Sequence, residues 1–257
     1  MSGTLTAREY VASLDLSGTP RVRAFESAAT EASEVFDSAK NQAQVVGSAL
    51  LSFAKGVTPA VREAISDSAL LAQLVANKRH PAATEPMEWY AEYGKVLQNI
   101  GWVTQSGGWT DYSTDGTAVE VNEKIIEVLT VVLGPSAAAL TIIKAALNAL
   151  QNMQPDGSWL TIFGRESQKA KIARFQVGLV ENGERDDVFV TLLACLIEAR
   201  SDLTQVLFFK FRKEQATFRA NNEKVSINAP SLSDLGPAIR AKIRAYQTDY
   251  LSSIQDI

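Results

Sequence analysis

The stretch Asp187–Arg212, DVFVTLLACLIEARSDLTQVLFFKFR, decides how the chain is read, because it joins the most apolar strand-like run to the single cysteine, Cys195. Taken as extended from Val188 to Ala199, successive side chains point to opposite faces. Val188, Val190, Leu192, Ala194 and Leu196 fall on one face, and Phe189, Thr191, Leu193, Cys195 and Ile197 on the other. Both faces are apolar, the pattern of a strand covered on both sides. The β-branched and aromatic content and the polar flanks favour a strand over a helix, which places Cys195 in the interior.

Downstream and upstream of it lie further strand candidates: Ala173–Val180, Gln205–Phe211, Ala216–Ala220 and Val225–Asn228. The segments ENGERDD and RANNEK read as short polar turns, so sequential antiparallel pairing is expected. In the run after Cys195, Leu207, Phe209 and Phe211 share a face. A helix starting at Pro237, with Ile239, Ile243, Tyr246, Tyr250 and Ile254 along one side, is expected to pack on the sheet.

The N-terminal part reads as helices. Thr6 with Glu9 makes a capping box. Thr19 precedes Pro20, Thr58 precedes Pro59, and Thr84 comes shortly before Pro86, each a helix-start signal. A stripe from Val22 to Phe53 continues the second helix to Gly56, with a break point near Gly47. In the fourth, Met87, Tyr90, Ala91, Gly94, Leu97 and Ile100 lie on one face, with Trp89 and Tyr93 on its flank. From Trp102 the turn chemistry SGG and TDG predicts a small hairpin over 102–121 whose Trp102, Trp109 and Tyr112 offer either a ligand platform or an edge packed on a helix.

Between Glu127 and Lys144 no residue is charged, and Gly134-Pro135 interrupts the run. The span is shorter than the roughly 20 apolar residues a membrane-crossing helix needs, so two helices meeting at a corner are expected over 122–153. Such a pair is either a core hairpin or a tongue that enters a bilayer. The expected fold is therefore α+β in one compact unit: a helical part over about 1–101, the hairpin 102–121, the apolar pair 122–153, and an antiparallel sheet with a C-terminal helix over 170–257.

Composition excludes several function classes. A net charge of −4 and a pI near 5.2 give no global pull toward nucleic acid. The single histidine, His80, and the single cysteine cannot assemble a His/Cys metal site. No dinucleotide, phosphate-loop or serine-hydrolase motif is present. The acidic turns around Asp111 and Asp115, and Glu181, Glu184, Asp186 and Asp187, read as solvated. No cofactor, metal or nucleic-acid partner is expected, and the function is read as non-enzymatic. The N-terminus lacks a basic segment followed by an apolar one, so no signal peptide is expected.

The lone cysteine in LLACLIEA, three-quarters along a leaderless α+β chain, resembles the Erwinia virulence factor (Evf) family of insect-associated Gram-negative bacteria. That resemblance implies a protein made in the bacterial cytoplasm, exported by a leaderless route, with a thioester-linked palmitate on Cys195 and a lipid or host membrane as partner. The alternative for Cys195 is an unmodified core residue. Residues that would contact lipid beside it are Phe189, Leu193, Ile197, Phe209, Phe211, Val131, Leu133, Leu140, Trp102 and Trp109. Two alternatives stand beside membrane attachment: a pore-forming toxin that inserts the 125–150 hairpin, and a soluble enzyme or ligand-binding module.

Overall fold

A computed structural model describes residues 5–19, 35–80, 85–112, 117–133, 138–154, 156–183, 186–203 and 205–257, without the side chains of 105–107. In chain order it runs α1 (Ala7–Ser13), β1 (Gln42–Val46), β2 (Ala49–Phe53), α2 (Pro59–Arg79), α3 (Pro86–Asn99), β3 (Val103–Tyr112), β4 (Val119–Glu120), α4 (Val121–Leu133) and α5 (Ala138–Gln151). There follow α6 (Ser158–Ser167), β5 (Gln168–Lys169), β6 (Ile172–Asn182), β7 (Asp187–Ala199), β8 (Lys210–Phe211), β9 (Ala216–Asn228), α7 (Ala229–Ile243), α8 (Gln247–Tyr250) and β10 (Gln255–Asp256).

The fold is α+β. The sheet order is β10-β1-β2-β6-β7-β9-β3, with β5 beside β6, while β4 and β8 form a separate two-stranded pair. β7 is central and antiparallel to both neighbours, β6 and β9. The sheet is mixed, because β2 runs parallel to β6. A parallel partner is reached only through a long crossover, here everything from α2 to α6, and local turn signals carry no trace of it.

Helices cover both faces. On one, α1, α2, α3 and α7 pack on Val188, Val190, Leu192 and Ala194. On the other, α4, α5 and α6 pack on Leu193, Cys195 and Ile197. The alternation read from the sequence for β7 thus separates the two cores.

The helical stripe expected up to Gly56 is corrected in its second part; its first part, 20–34, lies outside the described residues. Gln42–Val46 and Ala49–Phe53 form a hairpin with Val46 opposite Ala49. Val46, Leu51 and Phe53 enter one core and Ala43, Val45 and Leu50 the other. Spacing of three and four fits a helix, but only the two-fold alternation serves two apolar layers at once. Gly47, at φ 54°, makes the two-residue turn. The Gln73 carboxamide closes it, accepting from Ser48 N and donating to Val46 O, both at 2.9 Å.

Helix starts follow the caps where they are described. Thr6 and Glu9 complete the capping box of α1, and the Thr58 side chain accepts from Val61 N at the head of α2. Thr84 lies outside the described residues; Glu85 is the N-cap of α3 and makes no side-chain cap bond. In α3 the buried side is Trp89, Tyr90, Tyr93, Val96 and Leu97. Trp89 and Tyr93 are therefore core residues, stacked at 5.3 Å.

Four further expectations are corrected. The 102–121 hairpin does not form: β3 pairs along β9, and β4 pairs with β8. RANNEK is not a turn, because β9 is continuous through it and long enough to span both β7 and β3. The run Gln205–Phe211 is a 3-10 turn over Val206–Phe208 followed by the short β8. The last long helix starts at Ala229, where the Asn228 side chain accepts from Ser231 N, and Pro237 lies inside it.

Candidate functional site

Cys195 sits in the middle of β7, opposite Phe175 on β6 and Ala220 on β9, and is 0 % exposed. Its Sγ lies 3.9 Å from the Leu193 carbonyl oxygen. Burial pushes the thiol well above its ordinary pKa. A thiolate nucleophile is disfavoured in this setting. From the opposite core, the Tyr90 hydroxyl of α3 reaches the Cys195 carbonyl at 2.6 Å and the Phe175 carbonyl at 3.0 Å, sharing its proton between them. Burial first, then the neighbouring Cys195, raises the Tyr90 pKa well above the ordinary tyrosine value. The backbone that carries Cys195 is thus held from the side away from its side chain.

The Cys195 side is roofed by α4 and α5. Val121, Ile125, Val128 and Leu129 of α4, and Leu140, Ile143, Ala146, Leu147 and Leu150 of α5, share its core. The described charge-free residues of both helices, 128–133 and 138–143, lie on this side of the sheet. Their outer edge is apolar too: Val131 is 82 % and Val132 38 % exposed. Lys124, buried along its stem, turns its ammonium to Glu127 at 2.9 Å. Among the described residues, no helix is long and apolar enough to cross a membrane.

The structure brings together most of the expected lipid-contacting residues. Leu193, Ile197, Phe211 and Leu140 are buried in the Cys195 core, with Leu133 and Phe209 packed at its edge. Phe209 and Phe211 are stacked, with ring centroids 6.5 Å apart. Phe189, on the same strand, is half-buried and carries the Lys224 ammonium 4.7 Å from its ring centre. Val131 faces solvent. Trp102 and Trp109 stand apart from this group, on the other face, where Trp109 meets Tyr90 at 4.9 Å.

Among the described residues no group of His, Cys, Asp and Glu is arranged to hold a metal ion. His80 ends α2, its Nδ1 2.9 Å from Glu85. Asp111 pairs with Arg219 at 2.7 Å, while Asp115 and Glu184 lie outside the described residues.

Several polar groups that the sequence reading missed are also buried. Arg62 is 0 % exposed and donates to the carbonyls of Val57, Lys40 and Ala54 and to Gln42 Oε1 at 2.8–2.9 Å. It ties the end of the β1–β2 hairpin to α2. Arg174 lies 3.9 Å from the Trp89 ring centre and donates to Asn77; burial brings its pKa down to about 10. Asp67 of α2 is bound by Arg240 and Gln247. Their signal in the sequence is a charged residue set on an apolar helical or strand face, as Arg62 is beside Val61 and Ile65.

No protein-family model matches the chain, and no curated protein matches it. Among solved structures, the chain is similar to a delta-endotoxin at 13 % identity and TM-score 0.37, over 72 % of this chain and 84 % of that one. It is similar to the activated Cyt2Ba monomer from Bacillus thuringiensis subsp. israelensis at 14 % identity and TM-score 0.36, over 70 % and 96 % of the two chains. It is also similar to the Evf virulence factor, at 12 % identity and TM-score 0.36, over 98 % of this chain and 91 % of that one.

Proposed function

We propose that this protein is a non-enzymatic, toxin- or virulence-type protein that associates with lipid membranes through α4 and α5, with palmitate on Cys195 as a second anchor. One observation carries the reading: in the charge-free span Val128–Ile143 the described parts, 128–133 and 138–143, cover the Cys195 side of the sheet, with Val131 and Val132 exposed at their outer edge. Transferring a valine side chain out of water contributes about 1.5–3 kcal/mol. Two such residues give contact but not stable attachment, so the inward face, Leu129, Leu140 and Ile143, has to join them. That requires the pair to leave the sheet, and the same movement uncovers Cys195 for acylation.

Helix length favours attachment over pore formation. At 13 and 14 residues, α4 and α5 are each about 20 Å long, against a hydrocarbon core of about 30 Å. Neither helix alone spans that core, whereas an amphipathic helix with one apolar face lies in the plane of the interface.

The test is co-sedimentation with liposomes, with dye release measured on the same samples, for the wild type and a Val131→Glu/Val132→Glu variant. These side chains are exposed, so the variant is expected to fold, which circular dichroism checks. The expected outcome is binding without dye release, weakened at least tenfold in the variant. Undiminished binding by the variant would overturn the reading, and dye release by the wild type would replace attachment with pore formation. Intact mass of protein from its native host tests the acyl group: a palmitoyl adduct, removed by hydroxylamine, should be absent from Cys195→Ala.

A further inference from the structure

At one end of the sheet the chain collects exposed cations. Lys169 ends β5 opposite Ile172, and Lys171 lies in the turn between them. Ala199 N donates to Lys171 O at 2.7 Å, which ties this turn to the end of β7. Arg200 N donates to Gln215 O at 2.9 Å, and Gln215 N to Arg212 O at 2.8 Å, which ties β7 to the turn that opens β9. Lys169, Lys171, Arg200, Arg212 and Lys213 therefore line up across β5, β6, β7 and β9, three strand spacings or about 14 Å. All five residues are exposed.

The acidic residues here do not cancel them. Asp202 and Glu214, also exposed, offset two of the five. Lys210 pairs with Glu120 at 3.0 Å, and Arg219, facing both Asp111 and Glu198, leaves one further negative charge. This end keeps a net charge of two positive on a chain whose total is −4. It is also where α4 is rooted: β4 pairs with β8, and Val121 N donates to Phe209 O at 3.1 Å. Next to Lys169, Gln168 lines a cleft of about 240 Å³ between α6 and the 3-10 turn, walled by Leu160, Phe163, Leu207 and Phe208.

We propose that this end of the sheet docks on the headgroups of an anionic bilayer. The inference rests on the membrane reading above and names its lipid class. Each Lys or Arg held at an acidic membrane surface adds about fivefold to affinity. The acidic remainder of the chain is repelled by the same surface, so the molecule turns its positive end, and with it the root of α4, toward the lipid. A neutral bilayer gives no such orientation. A single-stranded nucleic acid would also meet cations here, but sites for it offer open aromatic faces on which bases stack. Phe208 and Phe209 are half-buried and pack into the Cys195 core instead.

The experiment is co-sedimentation of the full chain with vesicles of phosphatidylcholine alone and of phosphatidylcholine mixed two to one with phosphatidylserine. It is repeated on Lys169→Glu/Lys171→Glu and on a control with the same charge change elsewhere, Lys55→Glu/Lys95→Glu. All four lysines are exposed, and circular dichroism checks that both variants fold. Binding to the anionic vesicles is expected to be at least tenfold tighter than to the neutral ones and to weaken as NaCl is raised. The first variant should lose at least tenfold on anionic vesicles, the control less than threefold. Equal binding to both vesicle types, or equal losses in the two variants, would overturn the assignment. So would a single-stranded oligonucleotide that displaces the protein from anionic vesicles and binds the first variant less well. Equal binding to both vesicle types that Val131→Glu/Val132→Glu abolishes would remove the anionic surface and leave the membrane reading standing; no binding to either would remove both.

Discussion

Asp67 shows how a single buried side chain sets a pH response. Burial raises its carboxyl pKa above the usual value, and the hydrogen bonds from Arg240 and Gln247 only partly oppose that. The folded chain therefore holds this proton more tightly than the unfolded chain. Stability contributed by the group falls as pH rises from the ordinary carboxylate value through its folded pKa. Asp15 beside Lys78 and Asp256 beside Lys40 act in the opposite sense: their pKa values are lowered by hydrogen bonds from those lysines, so their contribution is present above the ordinary value and is lost on acidification. Asp67→Asn should thus make stability climb more steeply with pH than it does in the wild type. Urea-unfolding midpoints between about pH 4 and 7, the window above the ordinary aspartate pKa, measure this, and parallel curves would show that Asp67 does not titrate there. None of this is legible in ISDSALL, where Asp67 reads as one more polar helix residue.

At the scale of elements, the β1–β2 hairpin depends on one glycine. A Cβ on Gly47 would stand 2.3 Å from the Gln73 Oε1 that accepts from Ser48, in a backbone conformation, φ 54°, that side chains disfavour. Gly47→Ala should cost roughly 1–3 kcal/mol, read as a shift of the denaturant midpoint with an unchanged slope. A stability within error of the wild type would show that the turn relaxes without loss. Elements with strong local signals were readable in advance: α2 from Thr58-Pro59, the α4 and α5 pair from its uncharged span, and β6 and β7 from their apolar runs. Elements whose identity depends on a neighbour were not. β1 and β2 looked helical because their spacing fits both periods, and RANNEK looked like a turn because its polar residues lie along a strand with charged cross-strand partners, as Arg219 has in Asp111.

At the scale of the whole molecule, one sheet separates two cores, and the core that contains Cys195 lies under α4 and α5. Membrane attachment and access to the thiol are therefore coupled in the proposed function. Maleimide labelling of Cys195 should be slow in the folded protein, since the side chain is fully buried, and should accelerate at least tenfold when lipid vesicles are added. The Val131→Glu/Val132→Glu variant should lose that acceleration. Labelling that stays slow on vesicles that bind the protein would show attachment without displacement of the helices, and would remove the route by which Cys195 becomes acylated.

The sequence by itself determined that the chain is α+β, that β7 is covered on both faces, and which of its side chains go to which side. Those properties follow from the two-residue period of a strand and the length of an apolar run, which are local. Only the tertiary structure decided that β2 lies parallel to β6, that β3 pairs with β9 rather than folding back as a hairpin, and that Asp67, Arg240 and Gln247 meet. Each of these joins residues far apart in the chain. The physical reason is that a backbone donor or a buried charge accepts any partner of suitable chemistry, and the packing of the whole molecule selects among them.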